Sequence, residues 1–195
     1  MGLMRFLRGI LYSGLISLVS YGFDFAPAGV APSNNSFGSF SIGGVHTTIT
    51  NAKMQHYKNE RSAVLFGLKR GVMFGESQNV LLNAYIDGRA GSEHKNGLYG
   101  ISFGAQVGYR LFNGRIIALV GGGLEMNNLA MPQSSEQYNI YGGTARVELF
   151  FDIAQGYGIS VGYMRGFREK SKKIHAQRFE SESIMITLSF YDFSI

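Results

Sequence analysis

An alternation of apolar with small or polar side chains runs unbroken from Tyr99 to Leu111. Because successive residues of a β-strand point to opposite faces, this alternation predicts a strand with one apolar and one polar face. An ordinary strand has about five or six residues, whereas a tilted strand that crosses a bilayer needs roughly 9–11. The length of this segment, which recurs along the chain, is the strongest constraint on the fold. The apolar set is Tyr99, Ile101, Phe103, Ala105, Val107, Tyr109 and Leu111, and the other set is Gly100, Ser102, Gly104, Gln106, Gly108 and Arg110.

The composition agrees with long two-faced strands in a single domain. The 195 residues include 27 glycines, 11 tyrosines and 15 phenylalanines, and the mean hydropathy is close to zero. Membrane β-barrels show such averages, because lipid-facing and lumen-facing side chains cancel. The chain has no cysteine, which excludes disulfides, thiolate metal sites and a cysteine-linked lipid anchor.

The first 28 residues resemble an export signal. Arg5 and Arg8 form a positive start, Ile10–Phe23 is mostly apolar, and Ala26-Pro27-Ala28 has the small-x-small pattern of a cleavage site. We expect residues 1–28 to be a signal peptide, 29–36 a flexible segment and 37–195 the mature barrel. A retained N-terminal anchor helix is the alternative, although the apolar stretch is short for a bilayer span.

Eight strand-like runs follow, and the connections between them alternate in length. Short connections contain Gly75–Gln78, Phe112-Asn113-Gly114 and Asp152–Gly156, and long polar ones cover Asn51–Glu60, Gly91–Gly97, Asn127–Gln137 and Arg168–Glu182. This alternation is typical of an up-and-down transmembrane barrel whose termini and short turns face the periplasm. The predicted strands are Phe37–Thr50, Arg61–Phe74, Asn79–Ala90, Tyr99–Leu111, Arg115–Met126, Tyr138–Phe151, Tyr157–Phe167 and Ser183–Phe193.

Closing the eight strands into a barrel would remove the unpaired strand edges, which a bilayer does not tolerate. The fold class is therefore all-β, an eight-stranded antiparallel transmembrane β-barrel. Alternation shows only that odd- and even-numbered residues of a strand face opposite sides. It therefore also allows the reverse arrangement, a soluble lipocalin-like periplasmic barrel with the apolar side chains and an apolar ligand site inside. In the membrane arrangement, charged side chains face a lumen network: Lys69, Asp87, Arg89, Arg110, Glu125, Arg146 and Glu148.

Strand length, the export signal and aromatic placement favour lipid. Aromatic side chains lie mostly near strand ends on the apolar face, where interfacial girdles are expected. These side chains are Tyr99, Tyr109, Tyr141, Phe151, Tyr157, Tyr163 and Phe190.

Two arginines interrupt the apolar face. Arg70 and Arg165 share the parity of the lipid-facing residues. A lipid-facing charge costs roughly 2–4 kcal/mol at mid-membrane and almost nothing at the interface. We therefore expect either that both lie at the membrane boundary or that a bulge at nearby glycines shifts their register.

The signal sequence, eight strands, loop alternation and aromatic-rich last strand resemble the small outer-membrane β-barrel superfamily of OmpX-type, Opa-type and OmpA-barrel proteins. The resemblance covers the whole mature chain and implies an outer-membrane location. The last strand departs from the assembly signal of that superfamily, which usually ends in Phe. Here Tyr191, Phe193 and Ile195 alternate and the final residue is Ile.

The width of an eight-stranded barrel argues against a general porin. Such a barrel holds only its own side chains or one small ligand, and enclosed charges need partners. We expect the lumen charges to pair and plug the interior. A narrow gated conduit is the alternative.

Some barrels of this size modify lipid A, which requires a nucleophile, a base and an orienting acid. Of the histidines, His56, His94 and His175 fall in long connections, whereas His46 lies in the first strand beside Thr47 and Thr48. No catalytic set, no metal-ligand spacing and no cofactor motif is visible, and we expect no enzymatic activity. A lipid A-modifying enzyme stays an alternative.

The segment from Arg165 to Arg178 is strongly basic, with Glu169 as its one acid. In an outer connection its side chains would lie beside lipopolysaccharide phosphates, although a solvated loop is the simpler interpretation. The candidate phosphate contacts are Arg168, Lys170, Lys172, Lys173 and Arg178.

The sequence thus predicts a monomer with a structural or surface-interaction role, in envelope integrity, lipopolysaccharide contact or adhesion. The expected partners are membrane lipids, lipopolysaccharide and a host or envelope surface molecule. No nucleic-acid-binding motif is present.

Overall fold

The computed structural model describes residues 35–51, 58–75, 77–93, 96–130, 137–171 and 178–192. The expected signal peptide at 1–28 and most of the segment 29–36 lie outside these residues. No helix within them is long and apolar enough to span a bilayer. The strands are β1 (Ser36–Asn51), β2 (Lys58–Phe74), β3 (Val80–Glu93), β4 (Asn96–Leu111), β5 (Ile116–Ala130), β6 (Gln137–Ala154), β7 (Tyr157–Ser171) and β8 (Phe179–Asp192).

The eight strands form one closed antiparallel barrel, in which each strand pairs with its neighbours in sequence and β1 pairs with β8. Closure leaves no strand edge unpaired. The prediction of an all-β, eight-stranded up-and-down barrel is therefore confirmed. We call the end that holds the start of β1 and the end of β8 the lower end, and the opposite end the upper end.

Each strand is 14 to 18 residues long. The predicted strands correspond one to one to the observed strands, and the differences lie mainly at the upper end. There the backbone pairing continues through polar residues that do not alternate with apolar ones, such as Ser92, Asn128 and Lys170. Backbone hydrogen bonds do not require an apolar face, so hydropathy underestimates these strands.

The prediction of strictly alternating connection lengths is wrong at β3–β4. The segment 91–97 is not a long connection, because β3 continues to Glu93, which pairs with Asn96 at the start of β4. The other upper connections shorten to residues 52–57, 131–136 and 172–178. The connections at the upper end are therefore shorter than the sequence predicts.

Glycines shape the lower turns and the β4–β5 contact. The β4–β5 turn is a short 3-10 segment, Phe112–Gly114, in which Gly114 has φ +87°. Only glycine enters this region of backbone space without strain. Within β5, a Cβ on Gly121 would lie 2.1 Å from the carbonyl oxygen of Ala105, so a side chain there would separate the two strands.

Candidate functional site

The outer face of the barrel is apolar. Val120 is 59% exposed and Ile184 58%, although both have large hydrophobic side chains. A soluble barrel would bury such residues, which contradicts the lipocalin-like alternative. Of the seven predicted girdle aromatics, Phe151 is half-buried and the other six are exposed: Tyr99, Tyr109, Tyr141, Tyr157, Tyr163 and Phe190.

The buried side chains of the lumen include three apolar clusters and two groups of ion pairs. A lower apolar cluster contains Phe37, Met73, Leu81, Ile117, Leu119 and Phe150. A middle cluster contains Val45, Leu65, Met164 and Met185, and an upper cluster contains Ile49, Leu129, Ile140 and Phe179. Along β2, Lys69 lies between Met73 of the lower cluster and Leu65 of the middle cluster. Along β5, Glu125 lies between Leu119 of the lower cluster and Leu129 of the upper cluster.

The lower ionic group brings together four of the predicted lumen residues. Lys69 pairs with Glu148, and Arg146 pairs with Asp87. Arg146 also contacts Glu148, with 2.8 Å between Nη2 and Oε2, and its guanidinium lies 4.7 Å from the ring centre of Tyr85. Two cations thus meet two carboxylates, so the group is neutral as a whole.

The upper ionic group is built on Arg89 and Glu125, which form an ion pair. Asn127 donates to the same carboxylate at 2.7 Å, and the hydroxyl of Ser181 donates to its other oxygen at 3.4 Å. Arg89 also donates to the Ser102 hydroxyl at 3.4 Å. Because every member is buried, these contacts act in a medium of low dielectric constant, where polar interactions are strong.

Arg110 does not join either group. It is half-buried at the lower end, where its Nη1 lies 3.5 Å from the carbonyl oxygen of Gln78. Conversely, Arg61 is not among the predicted lumen residues, yet it is buried and donates to the Asn128 carbonyl oxygen. Arg61 has the inward parity of Lys69 on the same predicted strand, so extending the alternation along β2 would have found it.

Both arginines on the apolar face are exposed on the outside of the barrel. The pairing of β2 with β1 and β3 continues past Arg70 without a register shift. Arg165 lies near a shift between Gly166 and Glu169, yet it also faces outward. A bulge therefore does not turn either side chain inward.

Arg165 has acidic neighbours within the protein. Its Nη2 lies 3.3 Å from the Glu180 carboxylate, and its Nε lies 4.0 Å from that of Glu182. These residues belong to the upper part of β7 and β8. The outer face near the upper end is thus charged and polar.

The structure describes only part of the basic segment. The side chains of Lys170 at the upper end of β7 and Arg178 just before β8 are exposed. Arg168 belongs to β7, but its side chain lies outside the described part of the structure, as do Lys172 and Lys173 entirely. The structure therefore places two of the five predicted phosphate contacts at the upper rim.

One histidine lies beside a serine, a residue type that can act as a nucleophile. His46 Nδ1 lies 3.1 Å from the Ser62 hydroxyl on the outer face, a contact that the sequence analysis missed because it depends on the β1–β2 register. Among the described side chains, no carboxylate hydrogen-bonds to His46, and the nearby Glu60 pairs with Lys58. His56, His94 and His175 lie outside the described residues. Within the described part, no three acidic or histidine side chains cluster as metal ligands.

Comparison with known proteins identifies the fold through structure and not through sequence. No protein-family model matches the chain, and no curated protein matches it. Ail, the attachment invasion locus protein of Yersinia pestis, matches with a TM-score of 0.56 at 13% identity, covering 81% of this chain and 99% of that chain. Neisserial surface protein A (NspA) matches with a TM-score of 0.52 at 9% identity, covering 78% and 96%.

The chain has the fold of the small outer-membrane β-barrels. A further match is Ail in complex with the heparin analogue sucrose octasulfate, with a TM-score of 0.53 at 15% identity and coverage of 81% and 99%. Together with the apolar outer face, the closed barrel places the protein in the outer membrane, since a closed barrel satisfies every backbone group within lipid. In this fold the lower end is periplasmic and the upper end extracellular.

Proposed function

We propose that the protein is a monomeric outer-membrane barrel that stabilises the envelope by binding lipopolysaccharide phosphates at its extracellular rim. The observation that supports the proposal is the set of buried ion pairs and apolar clusters in the lumen. An eight-stranded barrel whose interior holds its own paired side chains has little room for a water-filled channel. A barrel with a plugged interior acts through its surface. The part of that surface outside the hydrocarbon is the rim with its connections.

The charge of the rim favours an anionic ligand. Lys170 and Arg178 are exposed there, and Arg168, Lys172 and Lys173 stand in the same stretch of sequence. Arginine and lysine bind phosphate by charge-assisted hydrogen bonds. We expect β7 and β8 to leave the membrane near the level of the lipopolysaccharide phosphates, where these cations would bridge neighbouring lipid molecules.

The short connections favour a structural role over adhesion. Connections at the extracellular end consist of residues 52–57, 94–95, 131–136 and 172–178. Chain segments of this length present little surface for a protein partner. A host or envelope surface partner would have to be bound through the strand ends together with these segments.

Binding of the purified barrel in nanodiscs to phosphorylated and dephosphorylated lipopolysaccharide tests the proposal. Lys170→Glu removes one attraction and adds one repulsion, so we expect affinity to fall on the order of tenfold. Arg115→Glu, an equal charge change at an exposed periplasmic turn, is the matched control and should leave affinity unchanged. Equal affinity for the two lipid forms, or equal losses in both variants, would contradict the proposal.

The mass of the purified complex tests the monomeric state. Light scattering in detergent, corrected for bound detergent, should give the mass of one chain. A stable dimer at low protein concentration would overturn this part of the proposal without affecting the phosphate contact.

A further inference from the structure

A groove of about 820 Å³ lies on the outer face of the barrel across β7, β8, β1, β2 and β3. Its outward walls are apolar and aromatic. They are formed by Phe40, Leu68, Ile86, Tyr157 and Phe190, each between 40% and 55% exposed. The groove therefore belongs to the lipid-facing surface.

The groove follows from small residues beside one long cation. In the strand register, Arg70 on β2 stands between Gly38 on β1 and Ala84 on β3. Neither neighbour has a side chain long enough to fill the space next to the guanidinium. Arg70 accordingly lines a depression whose other outward walls are hydrocarbon.

The groove lies at the periplasmic end of three of its strands. Gly38 is close to the start of β1, Tyr157 is the first residue of β7, and Phe190 is close to the end of β8. Tyrosines at this depth are typical of the membrane interface. On β2 itself, Arg70 lies four residues from the periplasmic end, and Val72 and Phe74 are exposed between it and that end. Because a long arginine side chain extends along apolar surface to keep its charge in the polar region, the guanidinium can reach the phosphates of the periplasmic leaflet while the apolar walls extend toward the bilayer centre.

Arg70 differs in its ion-pair partners from Arg165, the other arginine on the outer face. On the outer face at the extracellular end, Arg165 is balanced by Glu180 and Glu182. None of the side chains that the structure describes forms an ion pair with Arg70. A guanidinium beside hydrocarbon needs an anion, and the bilayer contains one of suitable geometry, because a phosphodiester accepts two parallel hydrogen bonds from arginine.

We propose that this groove binds one anionic phospholipid of the periplasmic leaflet. Arg70 binds the phosphodiester, and an acyl chain lies over Gly38 and Ala84 against Phe40 and Ile86. The site is at the opposite end of the barrel from the proposed lipopolysaccharide contact. Failure of either proposal therefore leaves the other intact.

Native mass spectrometry of the folded barrel, titrated with dioleoyl phosphatidylglycerol or dioleoyl phosphatidylcholine, tests this site. The native chain should bind one phosphatidylglycerol in preference to phosphatidylcholine. Arg70→Gln should weaken phosphatidylglycerol binding about fivefold, the effect of one cation near an anionic lipid surface. Arg115→Gln removes the same charge from a periplasmic turn outside the groove and should bind like the native chain.

A second variant separates lipid binding from folding. Ala84→Phe keeps Arg70 and adds a side chain that faces lipid, so the barrel should fold while the groove is filled and the bound phospholipid is lost. Heat-modifiable gel mobility verifies folding of every variant. The proposal is overturned if Arg70→Gln and Arg115→Gln bind equally, if both lipids bind equally to the native chain, or if Ala84→Phe retains the lipid.

Discussion

Lys69 on β2 and Glu148 on β6 form an ion pair across the full width of the lumen, since their strands are four apart in both directions around the barrel. Neither residue is near the other in sequence or in the sheet. The pair forms only when all eight strands have closed. It therefore couples the two halves of the barrel.

Glu148→Gln should destabilise the barrel strongly, because Lys69 would be left buried without its carboxylate. Loss of one partner of a buried ion pair costs about 3–5 kcal/mol in the free energy of unfolding. Urea unfolding from lipid vesicles, followed by gel mobility, measures this loss. The double variant Lys69→Met/Glu148→Gln should lose less than the single variant, because no unpaired ammonium remains.

The exposed pair Lys58–Glu60 offers the control for that measurement. Both side chains are more than half exposed, so Glu60→Gln should have little effect on unfolding. Similar losses for Glu148→Gln and Glu60→Gln would show that the luminal pair does not stabilise the closed barrel.

A charged side chain on the outer face should lower the stability of the barrel in the membrane, and the loss should be largest near the middle of the bilayer. Val147 is 50% exposed near the middle of the apolar surface, and Val147→Arg should cost about 2–4 kcal/mol in stability within lipid. Thr50→Arg, near the extracellular end of β1, should cost close to nothing. Folding yields and urea midpoints in vesicles measure both. Equal tolerance of the two substitutions would contradict the lipid-facing assignment.

The plugged lumen predicts that the barrel does not conduct ions. Reconstituted in a planar bilayer, it should show no stepwise current in 1 M salt (about the concentration at which porins are readily detected), because three apolar clusters interrupt the lumen. A general porin in the same bilayer is the positive control. Discrete, reproducible conductance steps from the purified protein would favour the narrow conduit instead.

Substituting either residue of the His46–Ser62 pair should leave lipid A unchanged. A serine and a histidine without an orienting carboxylate do not form the three-residue set of acyl-transfer enzymes. Mass spectrometry of lipid A from cells that express the native chain, His46→Ala or Ser62→Ala should give the same profile in all three. Loss of acyl chains with the native protein alone would restore the enzymatic alternative.

Local sequence patterns predict much of the barrel, but they do not predict the contacts inside it. The alternation in β4 predicted that Phe103 and Gln106 face opposite sides of the sheet, because side-chain direction in a strand depends only on the backbone. Strand length, the export signal and aromatic placement then indicated that Phe103 faces lipid and that Arg146 faces the lumen. The choice of Asp87 and Glu148 as partners of Arg146 did not follow from these patterns, because those distances depend on how the closed sheet is staggered.

The strand ends show a second limit of sequence reasoning. The segment from Gly91 to Gly97 reads as a polar loop, yet most of it belongs to paired strands, since Glu93 meets Asn96 across a tight connection. Hydropathy detects where a strand is in contact with lipid and not where its backbone pairing stops. The extracellular connections were overestimated for this reason.

The amino-acid sequence by itself determined the number of strands, their two faces and their ability to cross a bilayer, because side-chain alternation and the length of each alternating run are properties of short stretches of chain. Tertiary structure decided which enclosed charges pair, that Arg61 donates to the Asn128 carbonyl oxygen, and that Gly38 and Ala84 flank Arg70 on the outer wall. These relationships join residues on different strands. They exist only after closure sets the register of every strand against its neighbours.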